Sequence, residues 1–300
     1  IGGGGWATAG MALGCKSIII RDVNPAEIVT LIGKHRITHG FLVPVLLQFM
    51  LMVPDVDKAD YSSLELIAYG ASPISEEVLA ASIKTFKTNF MQVYGLTETT
   101  GATTILMPED HDLEGPKKKL LRSCGKIVPG MELRVVDSET GNDVPVGEVG
   151  EIWVKGGQVM LGYWNMPEET AKSINPEGWF KTGDAAYQDE DGYVYIYDRV
   201  KDMIVSGGEN VWPNAVEKIV STFPGIERVV ISGIDDEQWG QRVVAWIVSS
   251  QAEPPTLEAV RQHVKQQLPS YCAPTELRIV PAIPTTSLGK VDIQTLRNMK

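Results

Sequence analysis

LELIAYGASPISEEVLAASIKTFKTNFMQVYG, residues 64–95, decides the fold class. An apolar run ending at Gly70 leads to Ser75, a helix-capping residue, with Glu76 and Glu77 beside the positive end of the helix dipole. The helical spacing of SEEVLAASIKTF then gives way to a second strand-like run, NFMQVYG (89–95). Strand, helix and strand in this order make a βαβ unit, whose strands run parallel and finish at one sheet edge. The loops after Gly70 and Tyr94 are therefore expected to open into one crevice, where open α/β sheets bind ligands.

Upstream, KSIIIRD (16–22) and FLVPV (41–45) read as short strands flanking the helical PAEIVTLIGKHRI, with Pro25 at a first helical position. GGGGW (2–6) reads as a strand-to-helix turn. From about Gly125 the pattern becomes short alternating strands with Gly, Asp and Asn turns: MELRVVD, GNDVPVGEVG, EIWVKG and DGYVYIYDR. Antiparallel hairpins closing into a small barrel are expected there. After Arg199 come a helix at WPNAVEKIVSTF, strands at RVVISGI and VVAWIVS, an amphipathic helix with Leu257, Val260, Val264 and Leu268 on one face, and ELRIV. The expected organisation is α/β over residues 1–199, with the barrel-like part at 125–198, followed by a small α+β module at 200–300.

The 300 residues suffice for two domains, and 43% hydrophobic with 22% charged residues is ordinary for a globular chain. No apolar run approaches the roughly 18 residues that suggest a membrane span. A net charge of −11 repels a nucleic-acid backbone, so a polyphosphate ligand would need local donors, a metal and a few cations. Cys15, Cys124 and Cys272 are odd in number and lack C-x-x-C spacing, which fits a reducing compartment, and the cytoplasm is the expected setting. Ile1 follows no initiator Met and no targeting pattern, so the natural start is expected upstream.

Several segments carry chemistry-bearing residues. YGLTETTG (94–101) offers the flat ring of Tyr94 for a base, the Thr97 hydroxyl for a phosphate oxygen and the hard carboxylate of Glu98 for Mg²⁺; it also reads as a plain polar turn. GWFKTGDAAY (178–187) carries Asp184, whose two oxygens suit the hydroxyls of a ribose, or simply a turn. Arg199 can donate to the same sugar or pair with Asp198 or Asp202. Gly207 and Gly208 in VSGGENVWP permit close approach of a ligand or only a tight turn. PTTSLGKVD (284–292) is no Walker loop: Val291 stands where a hydroxyl is needed and the upstream glycine is missing, so Lys290 must act otherwise. His35 and His39 have zinc-helix spacing, but Arg36 occupies the place of the metalloprotease glutamate.

Taken in order, GAS (70–72), YGLTETTG, GEVGEIWVKGGQVMLGYW, GWFKTGD, DRVKDMIVSGGEN and PTTSLGK resemble the motifs of the adenylate-forming superfamily of acyl-CoA synthetases, peptide-synthetase adenylation domains and beetle luciferases. SGGENVWPNAVE is most similar to the fatty-acyl and aryl CoA ligases within it. The resemblance implies an ATP-dependent carboxylate–CoA ligase acting through an acyl adenylate. Its small-molecule partners would be a carboxylic acid, ATP and CoA, with Mg²⁺, and without nucleic acid; a homo-oligomer stays open.

By motif, Tyr94 would stack on adenine, Gly70, Ala71 and Ser72 would border the base, Thr97 would contact phosphate and Glu98 would hold Mg²⁺. Asp184 and Arg199 would take the ribose, Lys201 would be the hinge, Gly207 and Gly208 would pass pantetheine, and Lys290 would bridge carboxylate and α-phosphate. Gly95, Leu96, Gly101 and Ala102 are expected to line part of the acyl pocket. The module at 200–300 would rotate between half-reactions. The superfamily's Ser/Thr/Gly-rich phosphate loop and aromatic-His motif are absent from the chain, so they are expected upstream of Ile1. The alternatives are a non-catalytic nucleotide-binding remnant, or a same-fold enzyme with a carrier protein or oxygen as acceptor.

Overall fold

The computed structural model describes residues 2–285 and 291–299. Its contacts divide the chain into two compact units, Ile1–Thr182 with Ala186–Ile196, and Gly183–Ala185 with Tyr197–Lys300.

The first unit opens with α1 (Gly2–Ala12), where a turn was expected. Glycine opposes helix by about 1 kcal/mol per residue, and Trp6, packed 5.9 Å from Phe41, supplies a tertiary contact against that cost. Next come α2 (Pro25–His35) and β1 (His39–Leu42). Asn24 caps α2 by accepting from the amides of Ala26 and Glu27 at 3.0 and 3.2 Å. The run 16–22 forms no strand, and Ile19 is 90% exposed: among the described residues no neighbouring strand pairs with it. In FLVPV only Phe41 and Leu42 belong to a strand, because Pro44 starts α3 (Pro44–Leu51), where its missing N–H is harmless, with Val43 as the extended N-cap.

The βαβ unit forms as expected: β2 (Leu66–Gly70), α4 (Glu76–Phe86) and β3 (Asn89–Tyr94), with β2 and β3 parallel. Ser75 caps α4 by accepting from Val78 at 3.2 Å. Leu79 and Phe86 of α4 are wholly buried with Leu47, Met50, Ile67, Tyr69 and Phe90. β4 (Thr104–Leu106) and β5 (Lys126–Ile127) extend the sheet antiparallel, giving the order β1-β2-β3-β4-β5. Beyond it lie β6 (Met131–Val136), β7 (Gly150–Gly156), α5 (Pro167–Ser173), β8 (Phe180–Gln188) and β9 (Val194–Arg199). The four strands form one sheet in the order β6-β7-β8-β9. The expected barrel does not close: its path has two ends among the described strands, and closure needs a matched strand number and stagger that four strands do not supply.

The second unit carries β10 (Ile204–Ser206), β11 (Glu209–Val211), α6 (Pro213–Val220), β12 (Ile226–Asp236), β13 (Gly240–Ser249), α7 (Leu257–Lys265), β14 (Glu276–Ile279) and α8 (Ile293–Asn298). The sheet order is β11-β10-β13-β12, with β14 parallel to β13. The α7 stripe behaves as its spacing requires: Val260 and Val264 are buried with Val216, Val220 and Ile231, and Leu268 packs against them. Val244 and Trp246 of β13 feed a second cluster with Val230, Val280, Ile283 and Leu296.

One half-buried carboxyl is expected to make this unit pH-sensitive. Burial pushes Glu217 from its ordinary 4.5 up to about 7, although the Ile231 amide donates to it at 2.7 Å and favours its charge. Asp198 and Asp202 push it the same way. The folded pKa is raised, so the stability contributed by the neutral acid is complete below pH 4.5 and lost as pH rises through about 7. Glu217→Gln keeps an acceptor for Ile231 without the charge. It is expected to flatten the pH dependence of the denaturation midpoint between pH 5 and 8 and to gain about 3 kcal/mol at pH 8. An unchanged slope would assign that dependence to other groups.

Candidate functional site

The parallel register Gly70↔Val93 carries the loops after β2 and β3 to the same edge. Gly70 is required by packing: a Cβ there would stand 2.1 Å from the Val93 carbonyl oxygen. Ala71 follows at φ 68°, a left-handed conformation costing a side chain about 1 kcal/mol, and both Ala71 and Ser72 are exposed. Such strain concentrates at ligand loops.

β3 delivers Tyr94 half-buried, its ring packed against the cluster of Cys124, Met131, Ile152, Val154 and Phe180. The Thr103 amide donates to the Tyr94 carbonyl at 2.7 Å. Gly95 and Gly101 pinch the loop, since a Cβ on Gly95 would fall 1.6 Å from the Gly101 oxygen. Leu96 and Ala102 are half-buried at its two ends. Thr97 is exposed on the single 3₁₀ turn Thr97–Thr99. Thr99, not singled out by the sequence, organises this loop: wholly buried, its hydroxyl accepts from the Leu96 amide at 3.0 Å and from Thr103 Oγ1 at 2.9 Å. The run TETT gives no sign of which threonine turns inward.

Glu98 is held from the segment after β7. Met160 donates its amide to the Glu98 carbonyl at 2.7 Å, Thr100 Oγ1 donates to the Gln158 carbonyl at 2.8 Å, and Tyr163 Oη donates to Glu98 Oε1 at 3.0 Å. Tyr163 is the second residue that sequence reasoning missed, although it lies in the quoted motif GEVGEIWVKGGQVMLGYW. Among the described residues no group of three or more His, Cys, Asp or Glu could hold a metal by itself. A lone carboxylate with an oxygen to spare does fit Mg²⁺, which binds through one or two carboxylates, water and substrate phosphates.

In the second unit, Asp184 is 6% exposed and its Oδ1 lies 2.9 Å from Arg199 Nη1. The Arg199 guanidinium thus meets Asp184, while its backbone amide donates to the neighbouring Asp198. Asp198 is buried and accepts from the amides of Arg199 and Asn214 at 2.8 and 2.9 Å and from Asn214 Nδ2 at 3.0 Å. Burial raises its pKa. Lys201 sits exposed in the 3₁₀ turn Val200–Asp202. Gly207 and Gly208, at φ 62° and 84°, form the two-residue turn of the β10–β11 hairpin. A Cβ on Gly207 would lie 2.8 Å from the Trp239 ring, whereas one on Gly208 would meet nothing within 4 Å. Lys290 lies outside the described residues.

A surface cavity of about 510 Å³ in the first unit involves none of the expected residues. Among its lining cations, Arg122 pairs with Glu76, and Lys119 lies 3.7 Å from Asp189. No described helix is long and apolar enough to cross a membrane.

The family model described as AMP-binding enzyme matches residues 2–164, and that described as AMP-binding enzyme C-terminal domain matches residues 215–290. The medium/long-chain-fatty-acid–CoA ligase FadD8 of Mycobacterium tuberculosis (strain ATCC 25618 / H37Rv) is 40% identical over 302 residues, covering 98% of this chain and 52% of that protein. The fatty acid–[acyl-carrier-protein] ligase ScoC of Streptomyces coeruleorubidus is 36% identical over 298 residues, covering 99% of this chain and 56% of that one. The solved structure of the amide bond synthetase McbA from Marinactinospora thermotolerans matches with a TM-score of 0.85 at 31% identity, over 98% of this chain and 59% of its own. The chain spans about half the length of the curated relatives it matches.

Proposed function

Because this chain belongs to the AMP-binding enzyme family, we propose that it serves in ATP-dependent activation of a carboxylic acid and its transfer to CoA. In the first step a carboxylate oxygen attacks the α-phosphorus, the bond to pyrophosphate breaks, and an acyl adenylate forms. In the second the CoA thiolate attacks the acyl carbon and AMP leaves. Residues 1–199 would contribute to the nucleotide and acyl site, and residues 200–300 would be the mobile module.

The observation that supports this reading most is the Tyr94–Gly101 loop. It sits at the carboxyl end of a parallel strand beside the strained Ala71, with an aromatic ring, an exposed hydroxyl and a held carboxylate within five residues. Tyr94 would take the adenine and Thr97 a phosphate oxygen. Mg²⁺ on Glu98 would neutralise phosphate charge. The Asp184–Arg199 pair would open to the ribose hydroxyls, its two partners already 2.9 Å apart. Lys290 would stand on the carboxylate and α-phosphate, and Lys201 would be the hinge. The acyl pocket would use Gly95, Leu96, Gly101 and Ala102. For pantetheine, Gly208 is the better candidate of the glycine pair, because the space around it is open while Trp239 covers Gly207. The reading carries with it a cytoplasmic setting and, for an aliphatic acid, a place in fatty acid metabolism.

The acceptor has a second reading: ScoC is described as a ligase to acyl carrier protein and McbA as an amide bond synthetase. Pyrophosphate release by the intact protein, measured across aliphatic and aryl acids with CoA, a carrier protein or an amine, separates them. We expect acid-dependent release and a thioester that forms only with CoA. Release with product formed only on a carrier protein or an amine would replace CoA as acceptor, and no release with any acid would support a non-catalytic remnant.

A further inference from the structure

The carboxylate of Glu98 does not find its orientation from its own loop. Its backbone is pinned by Met160, but its side chain is directed by one group 65 residues away, the Tyr163 phenol, 3.0 Å from Oε1. Tyr163 is itself fixed from α5. Its amide donates to Thr170 Oγ1 at 2.9 Å, and that hydroxyl donates to the Met166 carbonyl at 2.9 Å. The result is a chain of contacts from α5 through Tyr163 to the carboxylate. Oε2 of Glu98 has no hydrogen-bond partner among the described residues.

From this geometry we infer that Tyr163 is a positioning residue for cation binding: its hydroxyl occupies one carboxylate oxygen of Glu98 and turns the other toward the nucleotide's divalent metal. The inference rests on the reading of Glu98 as the Mg²⁺ carboxylate. Partners that orient a metal ligand are typically worth 10–100-fold in metal affinity or activity. A group acting only through the metal should weigh on the step that handles the triphosphate and leave the later thioester step alone.

The test is Tyr163→Phe in the intact protein, with Glu98→Gln and the double variant in parallel. Mn²⁺ binding in the presence of a non-hydrolysable ATP analogue is read by electron paramagnetic resonance. We expect Tyr163→Phe to weaken Mn²⁺ about tenfold and to raise the Mg²⁺ needed for half-maximal adenylation similarly. The thermal midpoint and thioester formation from supplied acyl adenylate should stay unchanged. The double variant should bind Mn²⁺ no more weakly than Glu98→Gln, because the phenol acts through that carboxylate. Unchanged Mn²⁺ affinity in Tyr163→Phe, beside a clear loss in Glu98→Gln, would overturn the inference and leave the site reading standing. Unchanged affinity in Glu98→Gln would remove the site reading and the inference with it. Should Tyr163→Phe lower the thermal midpoint, the cycle still decides: an equal further loss on the Glu98→Gln background makes the tyrosine merely structural.

Discussion

Lys290→Ala in the intact protein is expected to lower acyl-adenylate formation by about 10²–10³-fold while leaving thioester formation from supplied acyl adenylate within about twofold. Negative charge grows on the α-phosphate oxygens as the carboxylate attacks, and a preorganised donor aimed at developing charge is worth about 3–4 kcal/mol. On the proposed reading the module that carries Lys290 has rotated away before the thiolate displaces AMP, so a lysine serving the first step has nothing to add to the second. Single-turnover measurements of each half-reaction check this. Equal losses in both would remove the proposed role of Lys290.

The second large effect concerns stability. Trp246→Ala is expected to cost the second unit about 5 kcal/mol, measured as the shift of its denaturant transition. Trp246 is 1% exposed on β13 and packs with Val230, Val244, Val280, Ile283 and Leu296. Its Nε1 donates to Ser232 Oγ at 2.9 Å, and the Arg278 guanidinium lies 4.6 Å from its ring centre. Truncation removes a large apolar surface, leaves a cavity and orphans a buried hydroxyl; domains have only about 5–15 kcal/mol of net stability to lose. Trp246→Phe keeps most of the packing and should cost about 2 kcal/mol. Val280, Ile283 and Leu296 flank the segment that contains Lys290. On the proposed reading the alanine variant should therefore also depress adenylation, through disorder of the module carrying the lysine.

Local signals were legible where local physics sets the structure. Ser75 caps α4 and Asn24 caps α2 because a side-chain oxygen reaches amides two or three residues on, and Val260 with Val264 bury because helical spacing puts them on one face. The βαβ reading survived for the same reason. KSIIIRD failed because strand propensity is realised only by a neighbour, and FLVPV because the start of a helix at Pro44 competed with the strand pattern. Tyr94, Glu98, Asp184 and Arg199 could be proposed from motifs, but Thr99 could not be told from its neighbouring threonines until one hydroxyl was seen buried between Leu96 and Thr103.

The sequence by itself determined the chemistry available: which rings, carboxylates and cations the chain owns, in what order they come, and which helices and strands carry them. Only the tertiary structure decided which of them meet. The Arg199 amide donates to the adjacent Asp198, but its guanidinium reaches Asp184, fifteen residues earlier, at 2.9 Å. Tyr163 finds Glu98 across 65 residues. Caps and periodicity act over a few residues and are written locally. A hydrogen bond between distant side chains exists only once the core has met the chain-entropy cost of bringing their backbones together, and that is decided by the fold as a whole.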